Sequence, residues 1–247
     1  MFSVLSCLIG FTVVLCTKRG SAKIAAVCIT VLSAIPAMIS GSKAGFVGIG
    51  AGLFLVMLQK GYRRRFGLYI LLLIVIIPLA FLFTGSLGRE RLVKGSGGTP
   101  LQRLVMGFDS LADTYRVHGV KLLMVGGGFY VVPVRVGSYV GSGPLRYRIG
   151  YGNHNIFLFP LEQAGIGAFV AAFWLWVSVA RAFKRRLKIR GQSEFTTAFA
   201  SSMRAYFIVL MVVGLGGEVF FLGFGTEHFT VYQLILFILA TGRSPVA

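Results

Sequence analysis

A histidine between two asparagines, in Gly152-Asn153-His154-Asn155-Ile156-Phe157-Leu158, stands at the mouth of a long apolar stretch. Imidazole is the side chain best matched to accepting a proton near neutral pH. An ionisable ring beside an apolar span calls for a reason, and proton transfer next to an anionic substrate supplies one. Cations precede it: Arg135, Arg146 and Arg148 lie in the approach, Arg103 lies further upstream, and Lys43 edges an earlier apolar run. Guanidinium forks match phosphate oxygens with paired hydrogen bonds. These residues therefore suit a pyrophosphate, both to hold it and to stabilise it as it departs. Asn153 is a good N-cap, which would put His154 in the first helical turn. The positive helix end and the neighbouring arginines would then favour a neutral ring, able to take a proton from an attacking hydroxyl. A general base of this kind contributes about 10²–10⁴-fold in rate.

Each residue also has a plainer reading. A histidine at a helix mouth is commonly an interfacial polar group, and Lys43 at a span boundary is ordinary snorkelling. Loop arginines commonly sit in water or on lipid headgroups. Glu162 is harder to set aside, because an isolated carboxylate inside a span is costly. It lies seven residues beyond Asn155, on nearly the same helix face. It either orients the site or pairs with a neighbouring helix. Pro160, between them, is expected to kink the helix. Gly45, Gly48 and Gly52 suit close helix packing; the Gly48-x-Gly50-x-Gly52 spacing lacks the last glycine of a dinucleotide loop. His118 and His228 are read as incidental, and Glu218 and Glu227 as lying toward the outer side. Cys7, Cys16 and Cys28 fall in apolar runs and read as small fillers, not as a disulfide framework or metal site.

The elements that must position these residues are membrane helices. Of 247 residues, 56% are hydrophobic and only 13% charged, against about a quarter charged in a soluble domain. The fold class expected is all-α: a polytopic transmembrane bundle with a long, partly helical outer loop. Apolar runs near 1–17, 22–40, 44–59, 67–84, 155–180, 203–223 and 229–241 give about seven spans. Residues 1–17 have an apolar core of signal-sequence length but no basic residues ahead of it and no clear cleavage site, so they read as a helix. The net charge of +18 sits in loops between spans, a pattern set by membrane orientation and anionic lipid rather than by nucleic acid. Lys18, Arg19 and Lys23, then Lys60 and Arg63–Arg65, then Arg181–Arg190 mark cytoplasmic turns. The turn at Ser40–Lys43, the segment 85–153 and the turn at Glu227-His228 then face outward. The chain divides into N-terminal spans (1–84), an extracytoplasmic loop (85–153) and C-terminal spans (154–247), forming one integrated membrane domain.

Within the loop, Thr99-Pro100-Leu101-Gln102 carries helix-start signals: a cap, a first-position proline and a glutamine that can bond back. Leu101, Leu104, Val105, Phe108, Leu111 and Tyr115 recur at helical spacing, and Gly119 should end the helix. Such a helix is amphipathic and should lie on the membrane surface or against the bundle. Gly126–Gly128, Gly141, Gly143 and Pro144 punctuate the approach to His154.

The stretch His154-Asn155-Ile156-Phe157-Leu158, followed by Glu162, Gly165 and Gly167, resembles the His-Asn…Leu…Glu-x-Gly-x-x-Gly segment of the O-antigen ligase and O-antigen polymerase family, with one residue rather than two between the glycines. Ser40-Gly41-Ser42-Lys43-Ala44-Gly45 is similar to that family's Ser-Arg-Gly helix start, with lysine for arginine and Ala44 inserted. Arg103 ahead of Gly126–Gly128 resembles its loop arginine. The likeness covers residues 38–180, and family members are longer, so the chain looks like a C-terminal half or a shortened relative. The resemblance implies a GT-C-like glycosyltransferase in the bacterial inner membrane, without metal or nucleotide cofactor. Its donor would be an undecaprenyl-pyrophosphate-linked glycan at the outer face, and its acceptor a hydroxyl on lipid A-core or on another glycan. His154 would be the base, Arg103 would contact the pyrophosphate, and Lys43 would replace the family's arginine with a point charge. Arg146, Arg148, Asn155 and Glu162 complete the substrate-binding set expected. The rival reading is a transporter or flippase component for lipid-linked glycans, which should place ionisable residues at the membrane midplane between discontinuous helices. A third is an inactive remnant of a larger synthase.

Overall fold

The computed structural model of the chain describes residues 2–18, 20–40, 43–58, 67, 69–71, 73–75, 100–127, 131–135, 145–149, 155–189, 191–215 and 235–242. They are overwhelmingly helical. In chain order the elements are α1 (Phe2–Cys16), α2 (Gly20–Ser40), α3 (Lys43–Met57), α4 (Pro100–His118), α5 (Val120–Val125), β1 (Val131–Arg135), β2 (Leu145–Ile149), α6 (Leu158–Arg186) and α7 (Glu194–Val213). A last helical stretch covers 235–241. Helices α6 and α7 are long and apolar enough to cross a membrane; α1, α2 and α3 carry shorter apolar stretches. The chain divides into two compact units, one of residues 1–96, 180–210 and 234–247, the other of 97–179 and 211–233.

The first unit is held by small residues that let helices approach. A Cβ at Gly48 would stand 3.0 Å from Val4 and 3.1 Å from Val209, and one at Gly52 would stand 3.0 Å from Leu8. These two glycines, four apart on α3, form a small-residue face against α1, as their spacing predicts. Thr12 and Ser202 are both fully buried, and the Thr12 hydroxyl donates to Ser202 Oγ at 2.6 Å, a polar tie between α1 and α7 in an apolar setting. Phe183, Tyr206 and Phe207 gather around Phe237, with edge-on rings at 5.6 Å and 5.7 Å for the Phe183 and Phe207 pairs.

Helix α7 starts nine residues before the apolar run at 203. Ser193 is the reason. Its Oγ accepts the Thr196 N–H at 3.1 Å and its carbonyl accepts Thr197 N–H, so the helix is capped well upstream of its greasy part. The part of that expected span beyond 215 lies outside the described residues, as do 76–84 of the fourth span, 229–234 of the last, Thr99, and the loop residues Glu218, Glu227 and His228.

In the second unit, α4 begins at Pro100 and ends at Gly119, whose φ is +57°, as the helix-start and helix-stop residues foretell. Of its two faces, the apolar one is turned outward. Val105, Phe108 and Tyr115 are 49%, 54% and 45% exposed, while Asp113 and Thr114 are buried. Helix α5 is likewise apolar and exposed, with Met124 68% accessible. Beyond it β1 and β2 pair antiparallel, Val132 opposite Arg148 and Val134 opposite Arg146, a ribbon that helical periodicity in the loop did not foretell.

Helix α6 is broken, and not at Pro160. That proline falls near the start of the helix, where a missing N–H is tolerated. The break comes at Ala164 (φ −138°, ψ 15°) and Gly165 (φ 78°, ψ −169°). Gly126 adopts nearly the same conformation, φ 77° and ψ 179°, a region open essentially to glycine alone. The two glycines lie against one another's neighbours. A Cβ at Gly165 would meet Met124 O at 2.6 Å, and one at Gly126 would collide with the backbone of Gln163 and Ala164.

Gly165→Ala and Gly126→Ala combine backbone strain with a backbone clash. Each is expected to destabilise the protein by at least about 3 kcal/mol in thermal unfolding of the detergent-solubilised protein. Gly167→Ala, at a helical position with open space around it, should lie within about 1 kcal/mol of wild type.

Candidate functional site

The mouth of α6 is built by Asn155. Its Oδ1 accepts the N–H of Phe157 at 2.9 Å and of Leu158 at 3.3 Å, and its carbonyl accepts Phe159 N–H at 2.8 Å. Asn155 is therefore the N-cap. The expected cap was Asn153, with His154 in the first turn; the structure puts the cap two residues later, so His154 precedes the helix in the chain. His154 itself lies outside the described residues, as does Asn153. The other half of the Asn155 amide points to α7. Its Nδ2 donates to Leu215 O at 3.0 Å, and Ile156 N–H donates to Gly214 O at 2.8 Å. These two bonds take up carbonyls that the end of a helix leaves without intrahelical partners. A single buried amide thus starts one helix and closes another.

One turn further, the Glu162 side chain is fully buried. Its Oε1 accepts the hydroxyls of Ser110 and Thr114 of α4, each at 2.8 Å. Thr114 shares its one proton with the carbonyl of Ser110, also at 2.8 Å. The backbone is engaged as well. The break at Ala164–Gly165 interrupts the helical ladder near the Glu162 carbonyl, and the N–H of Gly127 donates to it at 2.7 Å. Gly127 has to be small here, since a Cβ would stand 2.9 Å from Thr114 Cγ2. Residue 162 therefore fixes α4 by its side chain and the end of α5 by its main chain. Of its two sequence readings, pairing with another helix is the one this geometry realises.

The other expected residues fall on defined elements. Lys43 is the first residue of α3, and Arg103 lies in the first turn of α4. Arg146 and Arg148 lie on β2, paired in register with Val134 and Val132 of β1. Arg135 ends β1, paired with Leu145. Lys43 belongs to the first compact unit, and Arg103, Arg146, Arg148, Asn155 and Glu162 to the second.

One group went unremarked in the sequence, and His118, read there as incidental, joins it. Ser110 and Thr114, four residues apart on α4, form a hydroxyl face with Gly107 on the side away from Val105 and Phe108. That face was readable as the polar half of an amphipathic helix, but nothing in it announced a carboxylate partner. The ring of His118 also comes to this place, its Cδ2 3.6 Å from where a Gly127 Cβ would stand, with Nε2 buried and without a hydrogen bond among the described residues. No three metal-ligand side chains gather among the described residues.

Comparison of the chain with protein-family models, curated proteins and solved structures finds no match.

Stripping both hydroxyl donors from the buried carboxylate, with Ser110→Ala and Thr114→Val together, should cost about 3 kcal/mol of stability. Glu162→Gln, which keeps an acceptor oxygen for them, should cost less. Asn155→Ala loses the cap and leaves Leu215 O without its donor, an expected loss of about 2 kcal/mol; Asn155→Asp keeps the cap and should recover part of it. Denaturant unfolding of the solubilised variants reads all four.

Proposed function

We propose that the chain is a membrane glycosyltransferase of the O-antigen ligase or polymerase kind. It moves a glycan from an undecaprenyl-pyrophosphate carrier to an acceptor hydroxyl at the outer face of the bacterial inner membrane. The donor pyrophosphate would be held by Arg103 with Arg146 and Arg148. His154 would take the acceptor proton as the hydroxyl attacks the anomeric carbon, and the carrier pyrophosphate would leave. The reading includes a bundle of about seven spans, of which the sequence supplies the apolar runs.

One observation carries it. Asn155 and Glu162, two residues of the motif on which the resemblance rests, join α4, α5, α6 and the end of α7 around one helix mouth. The motif histidine directly precedes that mouth in the chain. The exposed apolar side of α4 lends further support. In water, each such large side chain would forgo about 1.5–3 kcal/mol of burial, whereas at a membrane surface it meets lipid. An in-plane helix of this kind brings Arg103, on its first turn, to headgroup level, where a lipid-linked pyrophosphate resides.

The break in α6 favours the second reading, a transporter or flippase component, because discontinuous helices build transport sites. Its depth tells against that. The break at Gly165 lies 16 residues before Arg181, about 24 Å at ~1.5 Å per residue, whereas the midplane of a ~30 Å hydrocarbon layer lies about 15 Å from its edge. With Arg181 at that edge, Glu162 would stand beyond the midplane rather than at it.

The decisive experiment incubates the purified protein with a lipid-pyrophosphate glycan and candidate acceptors. His154→Ala should lower transfer by about 10²–10⁴-fold with membrane insertion unchanged; transfer at the wild-type rate overturns the assignment. Arg103→Ala should raise the donor KM more than the acceptor KM, which paired substrate titrations check.

A further inference from the structure

The far end of α6 carries a group of cations that the proposed transfer does not use. Arg181, Lys184, Arg185 and Lys188 follow one another at i, i+3, i+4 and i+7 and together line an open cleft of about 430 Å³. That spacing gathers them on one side of the helix. The turn holding Lys188 continues the helical path, with Leu187 N–H donating to Phe183 O at 3.0 Å and Lys188 N–H to Arg185 O at 3.1 Å. The other side of the same turn is fixed in the core: Phe183 is fully buried against Phe207 and Phe237, and Arg186, three residues on, is buried as well. The four cations are all exposed, and none forms an ion pair with a carboxylate among the described residues, where Arg116 pairs with Asp113. Like charges four apart repel one another. The negative end of the helix dipole offsets part of this, and a bound anion would offset the rest.

We propose that this cleft binds the phosphate headgroup of an anionic phospholipid. Two guanidinium forks and two ammonium groups match phosphodiester oxygens. The cluster ends a helix long enough to cross a membrane, so it stands where headgroups lie rather than in bulk solvent. Ile189, next to Lys188, is half exposed and suits the first methylenes of an acyl chain. A soluble phosphate would need the cations but neither the membrane-end position nor the exposed isoleucine. The inference needs no glycan transfer, so the two stand or fall separately.

The test is thermal unfolding of the full chain in a neutral detergent, titrated with phosphatidylglycerol, phosphatidylcholine or inorganic phosphate. Phosphatidylglycerol should raise the wild-type Tm by ~5 °C, and phosphatidylcholine or phosphate should not. The variant Arg181→Gln/Lys184→Gln/Arg185→Gln/Lys188→Gln should keep the wild-type Tm without lipid and lose the rise. If that variant does not fold, the wild type alone decides, because the rise must disappear at ~1 M salt. An equal rise in the folded variant, an equal rise with phosphatidylcholine, a rise that survives high salt, or no rise at all overturns the proposal. An equal rise with inorganic phosphate overturns the lipid assignment.

Discussion

A carboxylate taken out of water has to be given donors, and in this chain that requirement organises the second compact unit. Glu162 sits one turn inside α6 with no accessible surface. Ser110 and Thr114 supply its side chain from α4, and Gly127 supplies its carbonyl from beyond α5. Burying a charged or hydrogen-bonding group without partners costs several kcal/mol, whereas each satisfied bond contributes only about one. The clamp therefore acts chiefly as a constraint: arrangements in which α4 turns another face to α6 leave a buried oxygen without its donors. The broken backbone belongs to the same device. Gly165 and Gly126 let the two segments approach to main-chain contact, and the carbonyl beside the break is bonded across to Gly127.

The orientation of α4 follows. Its hydroxyl face must meet Glu162, so its apolar face must point away. In an aqueous protein this would be a poor exchange, because Val105, Phe108 and Tyr115 would lose their burial. Hydrocarbon or headgroup surroundings remove that loss. Polar-inward and apolar-outward is the arrangement a membrane permits, and α5 and α6 also expose apolar side chains, among them Met124, Val170 and Trp174. In the first unit, the glycine face of α3 and the Thr12–Ser202 hydrogen bond bring α1, α3 and α7 together.

These constraints bear on the proposed chemistry through position. A base at the end of a span works only if acceptor and carrier phosphate are brought to it, and binding geometry accounts for much of any such rate. Asn155 fixes the helix end to the close of α7, and Glu162 fixes the helix bearing Arg103 to the same mouth. In the proposed transfer, substitutions at either would act by displacing what they hold.

The sequence by itself determined the helices and most of their ends. Apolar runs gave α1, α2, α3 and α6, Pro100 and Gly119 bounded α4, and Gly48 and Gly52 announced a close packing face, because periodicity, caps and small residues act over a few neighbours. Local signals misled where two candidates competed. Asn153 and Asn155 are equally good caps on paper, and only the carbonyl of Leu215 waiting for an amide donor selects the second. Pro160 was the evident kink, but a proline near the start of a helix breaks nothing, and the true break needed the end of α5 to lie against Gly165. The ribbon at 131–149 and the early start of α7 at Ser193 were likewise missed, the first because strand pairing is a long-range choice. Which face of α4 turns inward was undecidable from its own residues, since the partner, Glu162, lies about fifty residues away. Tertiary structure decided it, because only there does a buried oxygen meet the hydroxyls that make its burial tolerable.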